Sequence, residues 1–398
     1  MGLMMLRPLL MARMFAPSDF ATYSAGLLIS STFCMLGCLG LQPMLQRQMP
    51  MNLIAGKELA SLVLLVQGML VALLCAIVAI GLGFSGTSIA GLSSEGIAVS
   101  VLHGFSQQLF VLATVESRSR GEPLRFSLQN LSRATLVVGG AIVVAWQLRS
   151  PNITLLVEAL LSLLVSWRIT EKVLGGAPIR FRALFNLVVR RIPKIRWPDA
   201  LALMAVMLVG FALTNLDRWL AASWLPTHQF ASYAFAWILL TASQSVQSII
   251  NSSVYPSLAR RYAVHGRSSS FRLAAGASVL FISASAILAG PMNYALSVLI
   301  STWFTEYRSS LPLIPVFMAV AVVRLSDFWS SHLIIIGQER LLLFINISVG
   351  TCVSIIWFGS GQFEADESEF FMRLAWLALT LSIVNYFFVL CAAIRFRR

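Results

Sequence analysis

Residues 59–84 read LASLVLLVQGMLVALLCAIVAIGLGF, without one charged side chain. As a single helix rising 1.5 Å per residue, the run is about 39 Å long, enough to cross a hydrocarbon core of about 30 Å. Comparable runs lie near 1–15, 20–42, 96–115, 124–146 and 155–170. A second set follows near 201–220, 230–253, 272–299, 312–336, 340–358 and 371–394. Of the 398 residues 58% are apolar and 11% are charged, where a soluble domain carries about 25% charge. The mean hydropathy is +0.81. Such a chain cannot cover a water-facing surface, which excludes a soluble enzyme, a secreted scaffold and a free nucleic-acid binder. The expected fold is an all-α polytopic membrane protein of about twelve transmembrane helices.

The first run is short. Fifteen residues rise only about 22 Å, and Arg7 sits in its middle. Either this helix is tucked beside its neighbours or the true start lies upstream. A cleaved signal peptide is disfavoured, because Ala-x-Ala chemistry is missing and Arg13 falls where cleavage would occur. The five cysteines, Cys34, Cys38, Cys75, Cys352 and Cys391, all fall inside apolar runs without metal-ligand partners and read as small buried residues.

The net charge of +13 reads as topology and lipid contact. With the N-terminus in the cytosol, internal loops hold Arg47 and Lys57; Arg118, Arg120 and Arg125; then Arg168 through Arg196; Arg260, Arg261, Arg267 and Arg272; and Arg340, with Arg395, Arg397 and Arg398 in the tail. External loops hold little beyond Arg149 and Arg308, and the last is acidic, with Glu364, Asp366, Glu367 and Glu369. The positive-inside rule places both termini in the cytosol. The expected localisation is therefore a plasma membrane, crossed many times.

Residues 171–199 join an N-terminal transmembrane lobe, 1–170, to a C-terminal one, 200–398. Within this linker Phe181, Leu184, Phe185, Val188, Ile192 and Ile195 recur at helical spacing among Arg180, Arg182, Arg190, Arg191 and Lys194. The pattern predicts a basic amphipathic helix lying on the anionic lipid of the cytosolic face.

The halves echo each other. Pro17-Ser-Asp-Phe20-Ala21-Thr-Tyr23 answers Pro226-Thr-His-Gln-Phe230-Ala231-Ser-Tyr233, Pro43 answers Pro256, and Gly121 with Asn130-Leu-Ser132 answers Gly337 with Asn346-Ile-Ser348. The offsets drift from 209 or 210, through 213, to 216, as small insertions would make them do. Six spans, an even number, separate the first pair, so both face one side. That is a parallel repeat about an axis along the membrane normal, a class whose substrate sites lie between the halves.

Met11-Ala-Arg13-Met-Phe-Ala-Pro17-Ser-Asp-Phe20-Ala-Thr-Tyr23 resembles the end of the first helix and start of the second in polysaccharide repeat-unit flippases. Asn215-Leu-Asp217-Arg218, with Phe230-Ala-Ser-Tyr233 and Tyr255-Pro256-Ser-Leu-Ala-Arg260, resembles the matching stretch of their second half. These flippases form the polysaccharide branch of the multidrug/oligosaccharidyl-lipid/polysaccharide exporter superfamily. The resemblance implies two six-helix lobes around a central cavity that opens alternately to each side. It also implies an undecaprenyl-diphosphate-linked oligosaccharide as cargo, polysaccharide assembly proteins as pathway partners, a bacterial inner membrane, and motif residues Arg13, Asn215, Asp217 and Arg218. The short first helix departs from the pattern.

Charges inside spans are costly and therefore candidates for function. Arg133 falls in span five, Glu158 in span six, and Arg324 with Asp327 near the centre of span ten. The last two are three apart, positioned to pair on one helical face, with Arg324 free to meet phosphate when the pair opens. Asp217 and Arg218 read as snorkelling at the outer end of span seven, and Arg13 reads similarly. Two polar stripes add Gln244, Gln247, Ser248 and Asn251 in span eight, and Ser100, His103, Gln107 and Thr114 in span four. They read as cavity lining for sugar hydroxyls, with interhelical glue the plainer reading. His103, and less so His332, is a candidate pH sensor.

An always-charged arginine fork suits a diphosphate, and a polar path suits a sugar head group, while a polyprenyl tail needs neither. No nucleotide-binding loop, metal cluster, cofactor motif or nucleophile–base pair appears, so the chain reads as a transporter rather than an enzyme. A drug or cation antiporter, a peptidoglycan-precursor flippase and a membrane polysaccharide polymerase are the alternatives.

Overall fold

The computed structural model describes residues 2–84, 89–176, 181–359 and 367–397. The apolar runs form helices because a backbone in lipid must satisfy its own hydrogen bonds within the segment. In order these are α1 (Gly2–Met14), α2 (Pro17–Leu36), α3 (Leu41–Ile54), α4 (Glu58–Gly83), α5 (Ser94–Ala113), α6 (Val115–Ser119), α7 (Pro123–Leu148) and α8 (Pro151–Gly175). Then come α9 (Phe181–Arg191), α10 (Trp197–Trp224), α11 (Thr227–Trp303), α12 (Leu313–Leu325), α13 (Trp329–Ile335), α14 (Glu339–Gly359) and α15 (Glu367–Arg395). Among the described residues nine helical stretches are long and apolar enough to cross a membrane, with α5–α6 and α12–α13 each taken as one and α11 from Val264 on, or ten if α2 and α3, bent by 51° at their joint, form one span. With short α1 and the first arm of α11, the segments number twelve, six in each half. The fold is all-α and polytopic.

The chain forms two compact units, Met1–Phe211 and Ala212–Arg398, and the division falls inside α10. In the first, α5 is the central helix, packed against α2, α4 and α8, and α1 lies against α7. In the second, α12 packs against α11 and α15. Leu258, Phe328, Trp329, Leu333 and Leu377 belong to one buried core of this unit.

The interruptions repeat between the halves. Gly121, after α6, has φ +71°, and Gly337, after α13, has φ +79°. A residue with a Cβ is strained there. Gly56, before α4, and Gly266, inside α11, form a second pair at φ +68° and +74°, one that the sequence comparison had not picked out. The α5–α6 and α12–α13 joints correspond as well. The repeat is thus written in backbone geometry as well as in residues.

Several expectations need correction. Span ten is not one helix. Its first part ends at Leu325 and the second begins at Trp329, so the helical spacing that would pair Arg324 with Asp327 is broken between them. Spans eight and nine run as one helical element interrupted at Gly266. Only part of the apolar face of the linker helix α9 is covered by protein, and Phe185 and Val189 on it remain exposed. Leu184 and Val188 are buried against Val63 of α4, and buried Gln67 Nε2 donates to the Val188 carbonyl at 3.2 Å. Arg182, Arg190 and Arg191 remain exposed; Arg180 lies outside the described residues, as do Glu364 and Asp366. Of the cysteines, Cys38 is buried but Cys352 and Cys391 are exposed.

Candidate functional site

The first unit holds a buried cluster around Glu158 of α8. Arg7 Nη1 donates to Glu158 Oε2 at 2.7 Å, and Tyr23 Oη donates to Oε1 at 2.8 Å. His103 Nε2 lies 3.1 Å from Oε2. Its Nδ1 meets Ser30 Oγ at 2.7 Å and Gln107 Nε2 at 3.4 Å. A neutral imidazole fits: Nε2–H donates to the carboxylate and Nδ1 accepts from the serine. Glu158 and His103 are essentially unexposed, and in so dry a place a carboxylate persists only with such partners. Arg133 stands to one side, its Nε 2.9 Å from Ser162 Oγ and its guanidinium 4.4 Å from the Phe110 ring centroid.

Arg7, Tyr23 and Ser30 were not among the candidates. Arg7 was visible as a charge in a short span, but only an acid at the right depth in another span would have identified its partner. Two hydroxyls of the span-four stripe are satisfied by their own helix. Ser100 Oγ donates to the Gly96 carbonyl and Thr114 Oγ1 to that of Phe110, so neither hydroxyl lines a wet path. The neighbouring Gln108 is buried and donates to Gln42 Oε1 and Cys38 Sγ, each at 2.8 Å.

The second unit repeats the theme with the acid moved. Tyr233 Oη donates to Asp217 Oδ2 at 2.7 Å. Asp217 is fully buried and lies about two turns before the end of α10, so it does not snorkel at a helix end. Arg218 Cζ sits 4.6 Å from the Trp237 ring centroid, and Asn215 Nδ2 donates to Thr214 Oγ1 at 3.1 Å. Arg13 is exposed in the last turn of α1.

Arg324 Nη1 donates to the Thr214 carbonyl at 3.2 Å and Nε to Ser382 Oγ at 3.1 Å. Gln247 Nε2 donates to the Arg324 carbonyl at 2.6 Å. Asp327 instead accepts from the Ser330 amide at 3.1 Å and its hydroxyl at 2.6 Å, capping α13. These side chains line one pocket of about 140 Å³, with Arg324, Asp327, Gln244, Gln247, Ser382 and Asn385 among its polar groups. Four helices, α10, α11, α12 and α15, contribute to it. Four predicted residues therefore meet there, joined by Ser382 and Asn385, which the sequence had not marked. The side chains of Ser248 and Asn251 lie outside the described residues. His332 is buried, its Nδ1 3.1 Å from Ser270 Oγ. Among the described residues no group of His, Cys, Asp or Glu is arranged to hold a metal ion.

The pocket holds one guanidinium, one carboxylate, three amides and the hydroxyls of Thr214, Ser382 and Tyr386, a set that suits a small anionic or hydroxylated group at its Arg324 side. It is too small for a whole oligosaccharide.

No protein-family model and no curated protein matches the sequence. Solved structures do. The chain is similar to a multidrug resistance MATE family transporter of the MOP superfamily in its inward-facing conformation, at 11% identity over 98% of this chain and 95% of the other, with a TM-score of 0.65. A eukaryotic MATE transporter aligns at 11% identity over 98% and 92%, TM-score 0.59. An outward-facing multidrug resistance MATE family transporter aligns at 12% over 99% and 96%, TM-score 0.56. At such identities the likeness is one of fold. The chain has the fold of these transporters over nearly its whole length.

Proposed function

We propose that this protein carries a lipid-linked oligosaccharide across a bacterial inner membrane by alternating access, with both termini cytosolic. The observation that supports this best is the convergence of Arg324, Gln244, Gln247, Ser382 and Asn385 on one polar pocket. A guanidinium suits a phosphate oxygen pair, and amides and hydroxyls suit sugar hydroxyls. A pocket of this size takes a head-group fragment and leaves the polyprenyl tail in lipid. Alternating access is supported by the fold, since transporters sharing it have been captured both inward-facing and outward-facing. Membrane-bound polysaccharide assembly proteins are the partners this reading requires.

Export of a drug or cation is the second reading, favoured by the fold neighbours described as multidrug transporters. It calls for an accessible acid. Glu158 is engaged by Arg7, Tyr23 and His103, and Asp217 by Tyr233. Asp327 is the acid that lines the pocket; it accepts from Ser330 and shares the lining with Arg324, whose charge opposes a cation there and supports the flippase.

The test is the sidedness of lipid-linked oligosaccharide in cells lacking the protein, probed on spheroplasts with a membrane-impermeant sugar-modifying enzyme. Accumulation on the cytosolic leaflet, cleared by restoring the gene, supports the flippase and identifies the cargo by its sugars. Unchanged sidedness, with altered drug accumulation, transfers the assignment to the second reading.

A further inference from the structure

The first unit carries an apolar groove that neither polar cluster uses. Its walls are α4 and α8, its floor is α5, and Phe185 of α9 stands at one end. Leu70, Leu73, Phe105, Leu109 and Leu164 typify a lining that is almost wholly apolar, around a volume of about 630 Å³. Along α8 it runs from Leu160 to Leu174, about 21 Å at 1.5 Å per residue. That is the shape of an extended hydrocarbon chain rather than of a compact solute.

The end of the groove beside α9 is cationic. From 165 to 196 the sequence holds eight basic residues and one acid, Glu171, which fixes the sign of any head group that settles there. Arg168 follows the lining residue Trp167, and Arg182 precedes Phe185 by one turn; Lys172 faces the other side of α8, where it lines a separate pocket with Glu58, Glu116 and Glu122. Arg168 and Arg182 are exposed. The Arg168–Glu171 pair, 3.9 Å apart with both partners in the open, holds the guanidinium too loosely to withdraw it from a ligand. Because α9 is fastened to α4 through Leu184, Val188 and Gln67, its arginine is held in place beside the groove.

We propose that this groove holds one acyl chain of an anionic phospholipid, with the phosphate head group between Arg168 and Arg182 and Trp167 at the boundary between chain and head. Basic pockets between membrane helices select anionic lipid in this way, and tryptophan favours the interfacial level. The site is independent of what the protein transports.

The full-length protein, purified in detergent, is titrated at stoichiometric ratios with chain-brominated phosphatidylglycerol or phosphatidylcholine. Bromine quenches nearby tryptophan, and Trp167→Phe isolates the contribution of that side chain. Phosphatidylglycerol is expected to quench a component missing from Trp167→Phe. The Arg168→Gln/Arg182→Gln variant is expected to need about thirtyfold more lipid, the factor that two head-group cations supply. Phosphatidylcholine is expected to behave in the wild type as phosphatidylglycerol does in that variant. Equal quenching by both lipids overturns the proposal. So does quenching that is undiminished in Trp167→Phe, or an affinity unchanged by Arg168→Gln/Arg182→Gln. The substituted side chains are exposed, so loss of folding does not confuse the result.

Discussion

Tyr23 and Tyr233, 210 positions apart in the sequence, do the same thing in the two halves. Each is fully buried and donates its hydroxyl to a buried carboxylate, Glu158 in one case and Asp217 in the other. The tyrosine keeps its place in the repeat, while the acid moves from the last helix of the first half to the first helix of the second.

Removing either hydroxyl should therefore cost a similar amount. Tyr23→Phe and Tyr233→Phe are each expected to destabilise by about 1.5–3 kcal/mol, the range for a hydrogen bond to a charged group. Because the clusters lie in separate units, the double variant should show additive loss. Thermal unfolding in detergent measures it, and strong non-additivity would contradict the separation.

Arg7 and Glu158 are coupled by necessity. Arg7→Gln alone leaves a buried carboxylate short of its main counter-charge and should cost about 3–5 kcal/mol. Adding Glu158→Gln should recover much of that loss. A double-mutant cycle on unfolding is the check; a double variant worse than the sum of the singles would reject the pairing.

Arg324 and Asp327, three apart in sequence, should by contrast be nearly independent, with a coupling below about 0.5 kcal/mol. Asp327→Asn should lower stability modestly, as a weakened cap of α13 does, and leave export intact. Arg324→Ala should impair export at unchanged protein abundance, and Arg324→Lys should retain part of it. Export and abundance are measured side by side in the same cells.

The left-handed glycines provide a test of backbone alone. A Cβ at Gly121 or Gly337 would meet nothing within 4 Å, so Gly121→Ala and Gly337→Ala should each cost about 1–2 kcal/mol through φ itself. Gly139, a glycine inside α7 with equally open surroundings, should tolerate alanine or gain slightly. Equal effects at the three positions would remove the turn argument.

The linker helix should be detachable. Leu184→Asp places a charge in the contact with Val63 and should speed tryptic cleavage at Arg190 and Arg191 without unfolding the membrane helices. Circular dichroism and timed proteolysis together decide.

The sequence made the spans and the repeat legible because lipid imposes the same demand on every residue of a crossing segment. It was less informative where the answer depended on depth and on partners. Arg7 could be seen but not paired, since Glu158 lies 151 residues away. Arg324 and Asp327 looked like a pair because three-residue spacing implies one only while the helix continues, and nothing in Leu325-Ser326-Asp327 announces that it stops. Ser100 and Thr114 looked like cavity lining because a hydroxyl satisfied by its own helix has the same sequence signature as one facing water. The linker helix was recognisable by its periodicity; what it would lie against was not.

The distance between Arg7 and Glu158 along the chain also sets a schedule. Synthesis proceeds at about 5–20 residues per second, so roughly 8–30 s pass between the making of the guanidinium and the making of its carboxylate. During that interval the first helix has no counter-charge at its middle and no place at full depth in the bilayer. Its final position is therefore fixed late, by the sixth crossing segment, and a chain ended before Glu158 should leave that helix poorly inserted and open to degradation.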